Sequence, residues 1–205
     1  MKPTELLSAE HRVIEQGLDC LEELSRRCAS EGSLDGEIAS RTLEFVTKFA
    51  DAGHHAKEER HLFGMMERRG YPRGSGPVAV MIAEHEQGRA HVRAMAENVE
   101  AAAAGDTEAC ALFTTRAGLF VSLLRQHIQK EDHCLFPMAD SALDARLQEE
   151  LEGLFADADG AAAETREKCL ALVDTIAERL GLNGGRGAAH SAATAGATVA
   201  RSPHA

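Results

Sequence analysis

The chain lacks tryptophan and has a single tyrosine, so little of any core can rest on large aromatic side chains. Only five prolines interrupt its 205 residues, and alanine, leucine and glutamate are abundant, a composition that favours helix. Basic residues are in deficit: 22 Lys and Arg against 33 Asp and Glu give a formal charge of −11. That balance argues against nucleic acid and against an anionic membrane surface as partners. No apolar run approaches the roughly 20 residues needed to span a bilayer. Met1-Lys2-Pro3-Thr4-Glu5-Leu6-Leu7 lacks the apolar segment and cleavage site of a secretory signal. Cys20, Cys28, Cys110, Cys134 and Cys169 are odd in number and include no Cys-x-x-Cys pair. Reduced thiols and a cytoplasmic location are therefore expected. A His-Glu-x-x-His zincin motif is missing as well.

What the chain does have is one small device, twice. His54 and Glu58 stand four apart, as do His127 and Glu131, and each pair runs on to a Leu-Phe, Leu62-Phe63 and Leu135-Phe136. Upstream of each stands an identical tripeptide, Ala9-Glu10-His11 and Ala83-Glu84-His85, with offsets of 43 residues from His11 to His54 and 42 from His85 to His127. Residues four apart share a helix face, so each pair can offer an imidazole nitrogen and a carboxylate oxygen to one point.

Apolar periodicity places these residues on four long helices. The first runs from about Thr4 to Ala29, with Leu7, His11, Ile14, Leu18 and Leu21 as its stripe. The second, from about Glu37 to Arg69-Gly70, carries Leu43, Val46, Ala50, His54, Glu58, His61 and Met65 inward. The third, from Pro77 to about Ala104, carries Val78, Met81, His85, Val92, Met95 and Val99. The fourth carries Phe113, Phe120, Leu123, His127, Glu131, Cys134 and Met138, and Pro137 should stop or kink it. Short connections make this an all-α, antiparallel up-down-up-down four-helix bundle. Two further amphipathic stretches, about 141–156 and 161–181, should pack outside it. One domain is expected over 1–182 and a disordered tail over 183–205, where His190 and His204 need no function.

Each candidate ligand sits on an otherwise apolar stripe, where a polar side chain costs energy unless something satisfies it. Four inward His (His11, His54, His85, His127) and two inward Glu (Glu58, Glu131) make a cage for two metal ions. Imidazole and carboxylate suit Fe, Mn or Zn, and no thiolate-rich zinc site is present. The repeat implies pseudo-two-fold symmetry, with Glu58 and Glu131 each bridging two metals. Six protein ligands leave positions open for oxo, hydroxo, O₂, NO or peroxide. His61, two turns beyond His54 on the same face, is a candidate for a further ligand, and His91 a weaker one. Cys134 lies near enough on its stripe to be open to oxidation by a bound peroxide. His55 and His133 are expected in solvent, and Lys57 and Lys130 on the exposed sides of their helices.

His11 in Glu-His-Arg-Val-Ile-Glu, His54…Glu58…Leu-Phe, His85 in Met-Ile-Ala-Glu-His-Glu-Gln-Gly-Arg, and His127…Glu131…Leu-Phe-Pro together resemble the hemerythrin-like (HHE cation-binding) domain. The resemblance covers roughly residues 4–180. It implies a non-haem centre of two Fe ions, oxo- or hydroxo-bridged, that takes O₂, NO or peroxide for sensing, detoxification or redox and iron homeostasis. It leaves open an enzyme that decomposes peroxide or reduces NO, or repair of iron–sulfur clusters by iron donation. Oxygen carriers of this kind have a second His four residues along the third helix, where this chain has Arg89. Their last carboxylate is an Asp five after the His, an offset occupied here by Asp132, whereas the internal repeat favours Glu131. The missing nitrogen ligand points toward reactivity rather than oxygen transport.

Overall fold

The computed structural model describes residues 1–182. The expected disordered segment, with His190 and His204, lies outside the described residues. Helix α1 (Pro3–Glu31) begins with proline in its first turn, where the missing N–H costs nothing. It ends at Gly32, whose φ of +72° supplies the left-handed turn that returns its N–H to the Cys28 carbonyl. Helix α2 spans 36–68, capped by the Asp35 carboxylate accepting from the Ile38 N–H. Helix α3 (Gly76–Ala96) is broken at Glu97 and Asn98 from the short α4 (Val99–Ala103). Helix α5 (Thr107–Ala142) is followed by α6 (Ala145–Ala161) and α7 (Ala163–Arg179). Among the described residues there is no strand.

Helices α1, α2, α3 and α5 form the antiparallel bundle, with α5 packed along both α1 and α3. By length and composition alone α5 is apolar enough to cross a membrane. Here it is a core helix of the bundle. The two C-terminal helices lie outside, α7 against α1 and α2, α6 against α1 and the second half of α2. Close approach of α1 to α2 depends on Gly17, where an added Cβ would stand 2.3 Å from the Phe45 ring.

Two helices depart from regular α geometry. In α2, Val46–His55 and Glu58–Leu62 are π-helical, and in α5 so is Glu131–Leu135. Bonding from i to i+5 packs more residues into a turn, which rotates everything beyond it relative to an α-helical expectation. Helix α5 also continues through Pro137 to Ala142 rather than stopping. The wide turn just before it ends with the Phe136 N–H bonded to the Glu131 carbonyl, and Pro137 falls in the first turn of the next segment.

Buried side chains form two apolar clusters, one containing Ile14, Leu18, Phe45, Phe113 and Phe120, the other Leu7, Leu62, Phe63, Phe136 and Phe155. On α1, His11 falls between Leu7 of one cluster and Ile14 of the other. The bundle therefore holds a thin polar layer between two apolar ones.

Candidate metal centre

That layer contains His11 from α1, His54 and Glu58 from α2, His85 from α3, and His127 and Glu131 from α5, none more than 2% exposed. Each of the four histidines has its Nδ1 against a carboxylate: His11 on Asp132 at 2.8 Å, His54 on Glu10 at 3.0 Å, His85 on Glu59 at 2.7 Å and His127 on Glu84 at 2.9 Å. An ionised carboxylate only accepts, so in every case the Nδ1–H donates and Nε2 is the nitrogen turned into the layer. These Nε2 atoms then meet in pairs. His11 and His54 face each other at 3.0 Å, and His85 and His127 at 3.1 Å. Two nitrogens at that distance repel unless a proton or a metal cation lies between or beside them.

The carboxylates join the two pairs. One Glu58 oxygen is 3.5 Å from His54 Nε2 and the other 3.5 Å from His85 Nε2. One Glu131 oxygen is 3.2 Å from His127 Nε2 and the other 3.2 Å from His11 Nε2. No aligned hydrogen bond reaches any of these four buried oxygens. Leaving such groups unsatisfied costs several kcal/mol each in a dry interior. Metal bonds of about 2.0–2.2 Å to N and O put neighbouring donor atoms roughly 3.0–3.5 Å apart. The observed spacings fall in that interval, so the residues fit a metal pair. Two groups are close enough for ions: His11, His54, Glu58 and Glu131, and His55, Glu58, His85 and His127.

The proton affinities reflect the same crowding. Burial and the neighbouring charge of Glu131 push Glu58 well above the usual carboxylate range. Burial also opposes the charge on Glu131, but the positive charge of His127 and the contact with His11 hold it well below that range. Burial takes His54 down to about 4, and burial with the charge of His55 takes His85 to about 3. His127 goes the other way, to about 9, because Glu131 and Glu84 outweigh its burial.

The layer around these six residues is also two-fold. The Glu preceding each lone His orients the other histidine of its half: Glu10 holds His54 and Glu84 holds His127. The acid following each central Glu crosses over, Glu59 to His85 and Asp132 to His11. Lys57 donates to Glu10 at 2.6 Å, and Lys130 bonds Glu84. The repeated phenylalanines stack on the lone histidines, Phe136 on His11 and Phe63 on His85. Burial opposes the Glu10 charge, but His54 and Lys57 still hold the carboxyl at about 2.

Several expectations change. His55, expected in solvent, is buried, stacked on His85 at 3.9 Å between ring centres, and offers a ring nitrogen to the second cluster. The π-helical stretch ending at His55 turns the His54-His55 doublet inward together, and an α-helical reading has no place for both. Arg89 replaces the second third-helix His in sequence but bonds Asp51 and Glu59 instead. His61 is half-buried against Phe155, and neither cluster includes it. His91 is likewise outside both clusters. Cys134 is exposed, because the π turn at Glu131–Leu135 carries Leu135 inward in its place. Lys57, expected outside, is 3% exposed. The orienting acids had a legible signal: the repeated Ala-Glu-His and Lys-Glu-acid strings mark Glu10, Glu84, Glu59 and Asp132 as plainly as they mark the histidines.

A family model described as the hemerythrin HHE cation binding domain matches residues 2–139. No curated protein and no solved structure matches the chain.

Proposed function

Because the chain belongs to the hemerythrin HHE cation-binding domain family, we propose that its two His/Glu clusters hold a non-haem pair of iron ions that binds O₂, NO or peroxide for sensing, detoxification or redox and iron homeostasis. One observation carries this reading: Glu58 and Glu131 each direct one oxygen to a histidine of either cluster, and none of those oxygens has a hydrogen bond. His11 and His54 would serve one ion and His55, His85 and His127 the other, with both carboxylates shared. A donor set of imidazole and carboxylate without thiolate suits iron. When bound, the iron pair supplies Lewis acidity and exchangeable electrons to a small ligand.

The chain's own residues supply orientation and dryness. The four acids at Nδ1 fix each imidazole's tautomer and raise its basicity at Nε2. The apolar clusters on both sides of the layer keep bulk water away from it. Burial of His11, His54, Glu58, His85, His127 and Glu131 to 2% or less favours a retained centre over iron held as cargo. With His55 counted, five nitrogen donors are available, so a missing nitrogen no longer argues against oxygen transport. Five unpaired cysteines are in keeping with a cytoplasmic location.

Metal analysis and an optical spectrum of freshly purified protein test the reading. About two irons per chain with near-ultraviolet absorption are expected. One zinc per chain without iron would sink it.

A further inference from the structure

The two halves of the repeat differ in what lies behind their histidine-orienting glutamates. Glu84 accepts from His127 through one oxygen and from Lys130 through the other. Its side chain is 14% exposed and that of Lys130 is 42% exposed, so water completes the arrangement there. Glu10 likewise accepts from His54 through one oxygen, but its other oxygen takes two cations, Lys57 and Arg166, each at 2.6 Å. Lys57 gives a further bond to Asp159 at 2.8 Å. Glu10 and Lys57 are both buried, and a second cation and a second acid take the place of solvent.

Asp159 lies near the end of α6 and Arg166 in the first turn of α7. The junction of these two helices, at Ala162, therefore sits over Glu10. Both helices lie beyond the matched domain, which ends at residue 139. Aromatic rings steady the two cations: the Arg166 guanidinium is 5.4 Å from the centre of the Phe49 ring, and the Lys57 ammonium 5.7 Å from that of Phe155 in α6. A carboxylate with one oxygen fixed by two cations cannot turn without breaking a buried ion pair. Its other oxygen stays aimed at the His54 ring, whose direction and basicity depend on that bond.

We infer that Arg166 and Asp159 are positioning residues for the ion that His11 and His54 would hold: from helices outside the matched domain, they fix Glu10 and Lys57, and through them the His54 ring. The second half of the centre has no such support behind Glu84. Other contacts dock the same hairpin without entering this chain of charges. Asp174, further along α7, accepts from Gln16 of α1 at 3.0 Å. This inference rests on the iron-pair reading above.

Release of iron from the loaded full chain to a graded chelator series tests it, with the Mössbauer spectrum as a second readout. Arg166→Ala and Asp159→Asn should each take up two irons, release iron about tenfold more readily than the parent, and change the signal of one iron more than that of the other. Arg166→Lys, which restores a cation, should recover most of the loss. Asp174→Ala, which frees α7 from α1 without touching Glu10, should release iron as the parent does even where its thermal midpoint falls. Parent-like release from both Arg166→Ala and Asp159→Asn, no recovery in Arg166→Lys, or an equal loss in Asp174→Ala would overturn the inference while leaving the iron pair intact. If the parent chain itself takes up no iron, both readings fall together.

Discussion

His11 Nε2 and His54 Nε2 face each other at 3.0 Å while both rings give their Nδ1 protons to carboxylates. With both Nδ1 protons engaged, the two inward nitrogens can be reconciled only by a proton or a metal cation. The arrangement stores an attraction for a cation, and the pair of His85 and His127 repeats it at 3.1 Å.

Metal removal should therefore destabilise the fold. Chelation leaves Glu58 and Glu131, both fully buried, crowded against four buried histidines with no ion between them. The thermal midpoint of the stripped protein should fall well below that of the loaded one. Glu58→Gln should recover about 1–3 kcal/mol in the stripped protein, because a neutral amide spares the cost of protonating a buried carboxylate, or of burying it charged, beside Glu131, and lose metal affinity in the loaded one. A stripped variant no more stable than the stripped parent would contradict this account of Glu58.

The orienting acids should matter although they touch no metal. Glu10→Gln and Glu84→Gln should each weaken iron binding about 10–100-fold. Competition against a graded chelator series measures it. Because Glu10 is itself held by Lys57 and Arg166, its loss should be the more severe of the two. Equal affinities for both variants and the parent would show that ring orientation comes from packing alone.

Lys57 and Lys130 occupy matching places in the repeat but differ in exposure, 3% against 42% for their side chains. Lys57→Ala leaves the buried Glu10 short of a partner and should cost about 3–5 kcal/mol. Lys130→Ala breaks a half-exposed pair and should cost at most about 1 kcal/mol. Denaturant melts of the two variants compare them directly, and similar losses would mean that Lys57 is not carrying Glu10's charge.

Gly17→Ala should destabilise the chain by about 1–3 kcal/mol, since the methyl would enter the space of the Phe45 ring at 2.3 Å. Combining it with Phe45→Leu should give less than the sum of the two losses in a double-mutant cycle. Additive losses would place the strain elsewhere.

The bundle, the doubled His-x-x-x-Glu and the two-fold plan can all be read from residue spacing. Apolar residues three and four apart fix which helix face turns inward, and a polar residue on such a face must find a partner. Leu7, His11 and Ile14 illustrate this: their spacing alone puts the histidine between two apolar layers. Spacing fails where helical geometry departs from 3.6 residues per turn. The π-helical Val46–His55 brings His54 and His55 inward together, and Glu131–Leu135 turns Cys134 out. A sequence pattern carries the period of a regular helix and not the bonding choice of each turn. That choice is made when the donor atoms of four helices have to meet in one layer, and so the second half of the repeat kept Ile128 in the core while the first half gained His55.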